Sequence, residues 1–247
     1  MWRFLISGVL RGPVDGNILA RSGQLKAGRY AVGVEYETRG DTTMSLWEKI
    51  AEQFGKPSGF LGSIAGFIMA ERSSNIERNE WGISLLNIQP SDHVLEIGFG
   101  PGVAIQKLCE LVTDGIIYGI DHSELMVKKA SDRNKNAILS GKVKLMLASV
   151  SELPSVDHPI DKVIDINSFQ FWDDPVNSLQ EIKRMMKPHG IIAIVHQPRK
   201  PGATDQDSID ASDQFSKYLG NAQYNNIRIE KKLMKPVSTV CVLGTNS

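Results

Sequence analysis

The chain has 247 residues, 41% of them hydrophobic and 23% charged, values that exclude a disordered, collagenous or coiled-coil protein. Its 28 Lys and Arg balance its 28 Asp and Glu, so net charge gives no general attraction to nucleic acid or to an anionic membrane. The two cysteines are too few for a disulfide framework or a zinc cage, and no apolar run reaches the roughly 18 residues of a membrane-spanning helix. We therefore expect a cytoplasmic protein without stable membrane insertion.

The first 43 residues differ in composition from the rest of the chain. Residues 1–43 contain five Arg and one Lys, whereas residues 44–247 contain six Arg and sixteen Lys and open at a methionine. We interpret residues 1–43 as an N-terminal extension that is non-native or poorly ordered. The alternative is a small native appendage, because residues 29–37 alternate in hydrophobicity as a strand does.

Residues 44–88 are predicted to form a helical cap. They include an apolar, glycine-dotted stretch over residues 59–70, followed by a polar stretch with helical character. Such a segment is expected to close over a site as a lid whose apolar face selects a hydrophobic small molecule, or to form a homodimer contact. An interfacial helix on lipid is disfavoured because basic residues are sparse there.

Strand and helix patterns then alternate over residues 89–247. The predicted strands are 93–99, 116–120, 143–147, 162–167, 191–197, 227–233 and 237–243, and the predicted helices are 103–112, 123–139, 176–186 and 208–219. Alternation of this kind implies βαβ crossovers and parallel strands, while two closing strands with no helix between them imply an antiparallel pair. The predicted fold class is α/β: a Rossmann-like three-layer sandwich with a mostly parallel seven-stranded sheet and an antiparallel last strand.

Three glycines, Gly98, Gly100 and Gly102, follow the first predicted strand of this domain. Glycine lets backbone approach a ligand closely and adopts the unusual dihedral angles of such turns. The dinucleotide fingerprint would place a third small residue at Val103, so a pyrophosphate-binding loop is poorly matched, and Walker-A spacing is absent from the sequence. The loop is therefore predicted to bind a ligand other than a dinucleotide pyrophosphate.

Asp121 ends the second predicted strand. A carboxylate there can accept both hydrogen bonds of a ribose diol, which predicts nucleoside binding. The alternative is that Asp121 caps the next helix, alone or with Ser123.

Four motifs in order resemble the class I S-adenosylmethionine-dependent methyltransferases, in particular the small-molecule enzymes of bacterial type. They are VLEIGFGPG (94–102), YGIDHS (118–123), LASVSELP (147–154) and MMKPHGIIAIV (185–195), and the resemblance runs from about Trp47 to Val242. The resemblance implies methyl transfer (EC 2.1.1 type) from S-adenosylmethionine to a small, partly apolar acceptor by in-line displacement.

The resemblance also implies which residues bind the cofactor: Glu96, Gly98, Gly100, Gly102, Asp121, His122, Ser149, Val150 and Asn167. The glycines would skirt the methionine part, with Glu96 fixing the loop or reaching the amino group, and Asp121 would bind the ribose. His122 would lie near the adenine. Many family members have an acidic residue that accepts from the adenine amino group, and Ser149 stands in its place here. Asn167 would lie where cofactor and acceptor meet.

The acceptor side is less strongly specified by the sequence. His196 and Asp165 are candidate bases, although a base is optional because the sulfonium methyl is already activated. The alternative for His196 is a packed or hydrogen-bonded histidine. The predicted substrate pocket consists of Phe169, Gln170, Phe171 and Trp172. The alternative is that these aromatic side chains pack the following turn into the core.

Several other functions are disfavoured by the sequence. It lacks metal-ligand spacing, and it lacks the Asn-Pro-Pro-aromatic signature of enzymes that methylate nucleobase amino groups, so we expect neither a metal nor a nucleic-acid partner. Two alternatives stay open: an NAD-type oxidoreductase, which shares the strand, glycine turn and acidic residue, and a non-catalytic methyltransferase-like binding protein.

Overall fold

The computed structural model of the protein describes residues 73–246. The predicted extension (1–43) and most of the predicted cap (44–88) lie outside the described residues. The helices are α1 (Ser73–Ser84), α2 (Val103–Leu111), α3 (Glu124–Arg133), α4 (Lys135–Leu139), α5 (Pro175–Met185) and α6 (Asp205–Asn221), with a 3₁₀ turn at Phe169–Phe171. The strands are β1 (Val94–Ile97), β2 (Ile117–Asp121), β3 (Val143–Leu147), β4 (Ile160–Ile166), β5 (Met186–His196), β6 (Asn225–Lys232) and β7 (Thr239–Thr245).

The seven strands form one sheet in the order β3-β2-β1-β4-β5-β7-β6. The first five strands of that order pair in parallel, and β7 enters antiparallel to both β5 and β6. The predicted fold class, a mostly parallel seven-stranded sheet with an antiparallel last strand, is confirmed. The chain order reverses between β3-β2-β1 and β4-β5, so the carboxyl ends of β1 and β4 border the crevice where ligands bind in such sheets.

The sheet is buried on both faces, which explains the apolar character of its central strands. Every residue of β1 and β2 is buried. Successive side chains of a strand point to opposite faces, so Leu95 packs in the cluster that contains Leu179 of α5 and Phe215 of α6, whereas Val94 packs in the cluster that contains Leu108 of α2. Two apolar layers thus hold helices on both sides, as a three-layer sandwich requires.

Most elements begin and end close to their predicted positions, and two differ substantially. The helix predicted over 123–139 is divided at Asn134, whose buried side-chain amide donates to the carbonyl oxygens of Gly102 (3.1 Å) and Ala130 (2.9 Å) and so ties the end of α3 to the glycine loop. Strand β5 begins at Met186, where the sequence predicted helix, and Pro188 explains why α5 does not continue.

None of the helices in the described range is both long and apolar enough to cross a membrane.

The turn before β2 gives a test of the packing. A Cβ at Gly115 would lie 2.0 Å from the carbonyl oxygen of Asp92, which is backbone and cannot rotate away. We expect Gly115→Ala to lower the free energy of unfolding by about 2–3 kcal/mol. Gly220→Ala in α6 is the matched control, because its Cβ would meet only Ile227 Cδ1 at 3.8 Å, and alanine favours helix by about 1 kcal/mol. Urea unfolding of both variants checks this, and equal midpoints would contradict it.

Candidate functional site

The loop between β1 and α2 is built from glycines with positive φ: 66° at Gly98, 52° at Gly100 and 77° at Gly102. A Cβ at Gly98 would lie 2.3 Å from Ser168 Oγ, and one at Gly102 would lie 2.7 Å from the Ala130 Cβ, so both positions are closely packed. A Cβ at Gly100 would meet no heavy atom within 4 Å. The backbone of Gly100 therefore faces open space beyond the carboxyl end of β1, where a ligand can approach closely.

Asp121 ties this loop to the end of β2. One of its carboxylate oxygens accepts the Gly100 N–H (2.8 Å) and the other accepts the Ser123 N–H (2.9 Å). The N-cap of α3 is Ser123, whose hydroxyl accepts from the Met126 N–H (3.4 Å), so Asp121 itself is not the cap. Burial raises the pKa of Asp121, which is 7% exposed. Its carboxylate has about four acceptor positions and uses two here, which leaves capacity for a diol.

Glu96 lies inside the sheet beneath the loop with an unsatisfied oxygen. It is 2% exposed, and its Oε2 has no hydrogen-bond partner among the described residues. Its pKa is raised well above the ordinary value by burial, with smaller contributions from the charges of Asp165 and Asp121. An orphaned buried oxygen is unfavourable, so this position is suited to a ligand that brings a hydrogen-bond donor or a cation.

The turn after β4 is fixed by two polar side chains. The Asn167 side chain donates to the Gln197 carbonyl (3.0 Å) and accepts the Gln197 N–H (2.8 Å), which joins the ends of β4 and β5. Asp165 is fully buried and accepts the N–H groups of Ser168 (3.2 Å) and Phe169 (3.0 Å) and the Ser168 hydroxyl. Burial raises its pKa to about 7. The hydrogen bonds of Asp165 hold the turn together.

The predicted substrate-pocket residues separate into two groups. Phe169 and Trp172 are buried in the core with ring centroids 4.5 Å apart, and Phe169 also packs against Phe215, so these two rings follow the core-packing alternative. Phe171 is 55% exposed, and Gln170 is exposed with its amide donating to the Asn167 carbonyl (2.8 Å). Phe171 and Gln170 therefore lie at the protein surface in the turn after β4.

The third motif lies beside the end of β2, because the Ala148 N–H donates to the Asp121 carbonyl (3.1 Å). The exposed Ser149 hydroxyl lies 2.8 Å from Ser151 Oγ and accepts the Ser151 N–H (3.2 Å). Val150 is half-buried and packs against the core. His122, directly after Asp121, is exposed.

At the end of β5 the structure adds a buried arginine that the sequence did not indicate. Arg78 of α1 is 7% exposed, its Nη1 donates to Gln197 Oε1 (3.4 Å), and its Nε has no partner among the described residues. The Nδ1 of His196 is likewise buried and unpartnered. Burial, together with the charge of Arg78, lowers the pKa of His196 to about 4. One sequence signal points to this placement: Arg78 and Gly82 share a helix face, and Gly82 packs directly on Val195 of β5.

Within residues 73–246 no group of three or more His, Cys, Asp or Glu side chains is arranged to hold a metal ion.

Comparison with known proteins agrees with this geometry. Residues 95–194 match the family described as a methyltransferase domain. A Bacillus subtilis protein named "Uncharacterized methyltransferase YdaC" is 35% identical over 178 residues, covering 72% of this chain and 95% of that protein. A Listeria welshimeri demethylmenaquinone methyltransferase is 26% identical and covers 67% of each chain. The chain spans less than half the length of several other relatives that it matches.

Solved structures share the fold. The crystal structure of a SAM-dependent methyltransferase from Aquifex aeolicus superposes with a TM-score of 0.59 at 22% identity, covering 72% of this chain and 95% of that one.

The low pKa of His196 predicts a pH dependence of stability. The folded state holds this pKa at about 4, below its ordinary 6.5, so the unfolded chain binds the proton more readily. The stability contributed by neutral His196 is therefore present above pH 6.5 and is lost as the pH falls toward 4. Between pH 7 and pH 5 we expect the wild-type protein to lose about 2 kcal/mol more than His196→Leu, measured by urea unfolding. Parallel pH profiles would contradict the assignment.

Proposed function

This chain belongs to the class I S-adenosylmethionine-dependent methyltransferases, and we propose that it transfers the methyl group of that cofactor to a small, partly apolar acceptor. The family membership confirms the resemblance carried by the four sequence motifs. The observation that carries the proposal is the pairing of Gly100 with Asp121: an open glycine backbone held by a carboxylate that retains acceptor capacity.

The residues at the carboxyl ends of β1 and β2 fit the cofactor. Asp121 is positioned to accept from the ribose hydroxyls, and the glycine loop leaves space for close approach of the methionine part. The orphaned Oε2 of Glu96 suits the cofactor's amino group, which is a cationic donor. We propose that the exposed Ser149, with Val150 and His122, borders the adenine. Val103, the first residue of α2, occupies the position where the dinucleotide fingerprint has a small residue, which favours this proposal over the NAD-type alternative.

We propose that the chain's own residues act by binding and orientation. S-adenosylmethionine supplies an activated sulfonium methyl, which an acceptor takes by in-line displacement. The two hydrogen bonds between Asn167 and the Gln197 backbone fix the ends of β4 and β5 relative to each other. We propose that this keeps the acceptor aligned with the cofactor. Alignment and exclusion of water are the main sources of acceleration in such a step. A general base is required only when the acceptor arrives protonated.

We propose that the acceptor is a small molecule with an apolar part. Balanced charge favours a small molecule over nucleic acid, and the Listeria relative is named for methylation of demethylmenaquinone. Exposed Phe171 offers an apolar contact beside Asn167. We propose a cytoplasmic enzyme that acts alone or as a homodimer.

Replacing Asp121 tests the cofactor site. Asp121→Asn keeps one oxygen for the loop N–H but removes the charge, so we expect S-adenosylhomocysteine to bind about 10- to 100-fold more weakly, since a charged hydrogen bond contributes about 1.5–3 kcal/mol. Isothermal titration calorimetry measures this. Asp114→Asn, an exposed change in the turn before β2, is the control and should bind normally. Equal affinity in both variants would refute the ribose assignment.

Thermal unfolding distinguishes the two nucleoside cofactors. A ligand that binds the native state raises the midpoint in proportion to ln(1 + [L]/Kd). We expect S-adenosylmethionine and S-adenosylhomocysteine to raise the midpoint and NAD to leave it unchanged. A rise with NAD alone would overturn the proposal. Release of S-adenosylhomocysteine in the presence of a small-molecule extract then separates an enzyme from a non-catalytic binding protein.

A further inference from the structure

A buried arginine lies beside the end of β5. Arg78 is 7% exposed, and within the described range its guanidinium makes a long hydrogen bond to the neutral side chain of Gln197 (3.4 Å). Its Nε has no partner within the described range. A buried charge is unfavourable unless it is paired, and guanidinium is the group best shaped to bind a carboxylate through two parallel hydrogen bonds.

A second arginine lies at the same place. The Arg199 guanidinium donates to Asn75 Oδ1 (2.7 Å), which brings it from the end of β5 to α1, the helix that carries Arg78. The pKa of Arg78 is lowered to about 9, by burial first and then by the charge of Arg199. An anion that contacts Arg78 would offset the repulsion between the two charges.

We propose that Arg78, with Arg199 nearby, receives an anionic oxygen, such as a carboxylate, of the methyl acceptor. This inference rests on the proposed function and names the acceptor's chemical class: a small acid with an apolar body.

Position in the sheet assigns the anion to the acceptor rather than to the cofactor. Most of the proposed cofactor residues lie at or near the ends of β1 and β2, with Asn167 after β4, whereas the arginine pair lies at the end of β5. Neighbouring strands are about 4.8 Å apart, so the ends of β1 and β5 are separated by roughly 10 Å. The acceptor lies on the β4 and β5 side of the methyl group when the cofactor occupies β1 and β2.

A cleft beside the arginine pair has matching chemistry. It has a volume of about 740 Å³ and is lined by residues 198–203, which follow β5, and by Lys235 and Pro236 of the β6–β7 connection. Three of its lining residues are cationic and three are prolines, so it combines positive charge with apolar walls. Gln197 links the cleft wall to the buried arginine, because its amide donates to the carbonyls of Lys235 (3.2 Å) and Val237 (2.7 Å) while its oxygen accepts from Arg78.

The test compares an acid with its neutral analogue on the protein saturated with S-adenosylhomocysteine. Benzoate should raise the thermal midpoint of the wild-type protein, and benzamide, which has the same shape without the charge, should not. Arg78→Gln should abolish the benzoate response, and Arg78→Lys, which keeps the charge but loses the two-pronged geometry, should retain part of it. Arg184→Gln, the same change at an exposed position of α5, is the matched control and should respond as wild type does.

Two readouts keep the outcomes distinct. Arg78→Gln removes a buried charge, and because its side chain is shorter it loses the contact to Gln197, so unchanged cofactor binding is the evidence that a lost benzoate response is not a folding defect. Its affinity for S-adenosylhomocysteine should equal that of wild type. A loss of about tenfold in that affinity would assign the anion to the cofactor's carboxylate and overturn the inference. An absent benzoate response in the wild type would also overturn it, whereas failure of the wild type to bind S-adenosylhomocysteine would refute the proposed function instead.

Discussion

The carboxylate of Asp121 is the interaction on which the geometry of the site depends. It accepts N–H groups from Gly100 and from Ser123, so one side chain joins the loop after β1 to the start of α3. The Gly98 N–H is held by the Ile120 carbonyl (2.8 Å), and the Gly102 carbonyl by the buried Asn134 amide. A loop fixed at three points has already lost its conformational entropy before any ligand arrives, and that preorganisation favours binding.

Charge is divided across the carboxyl edge of the sheet. Glu96, Asp121 and Asp165 are buried at the ends of β1, β2 and β4, whereas the guanidinium of Arg78 is buried beside the end of β5. The two acids that engage backbone N–H groups hold turns, and Glu96 is left with an unpartnered oxygen. The acidic half therefore suits a ligand that carries a cation, and the basic half suits one that carries an anion. The cofactor, which carries a sulfonium and an ammonium group, would bind at the acidic half of the edge, and an acidic acceptor would bind at the basic half.

Local patterns in the sequence predicted the fold and the glycine loop at the end of β1, but not the buried Arg78 beside the end of β5. The alternation of apolar strands and amphipathic helices gave the sheet and its antiparallel last strand, and positive φ at Gly98, Gly100 and Gly102 follows from local turn chemistry. Phe169 follows β4, and whether an aromatic ring there lines a pocket or fills the core depends on helices distant in sequence, here on Phe215 of α6. Arg78 was missed because its contact to Gln197 spans 119 positions, and Gly82 on the same helix face indicates close packing without identifying the partner.

The unpartnered polar atoms at this edge lower the stability of the fold, which indicates that the residues there serve ligand binding. A buried polar group left without a partner costs about 1–3 kcal/mol, and Glu96, Arg78 and His196 each carry one such atom among the described residues. An apolar side chain of similar volume at any of these positions would avoid that cost, as it does along the rest of β1 and β5, where Leu95, Ile192 and Ile194 are buried. Of the four such atoms among the described residues, the Tyr118 hydroxyl lies near the start of β2, and the other three lie at the carboxyl edge of the sheet. Binding of partners that satisfy them would therefore stabilise the fold and select the ligand through the same contacts.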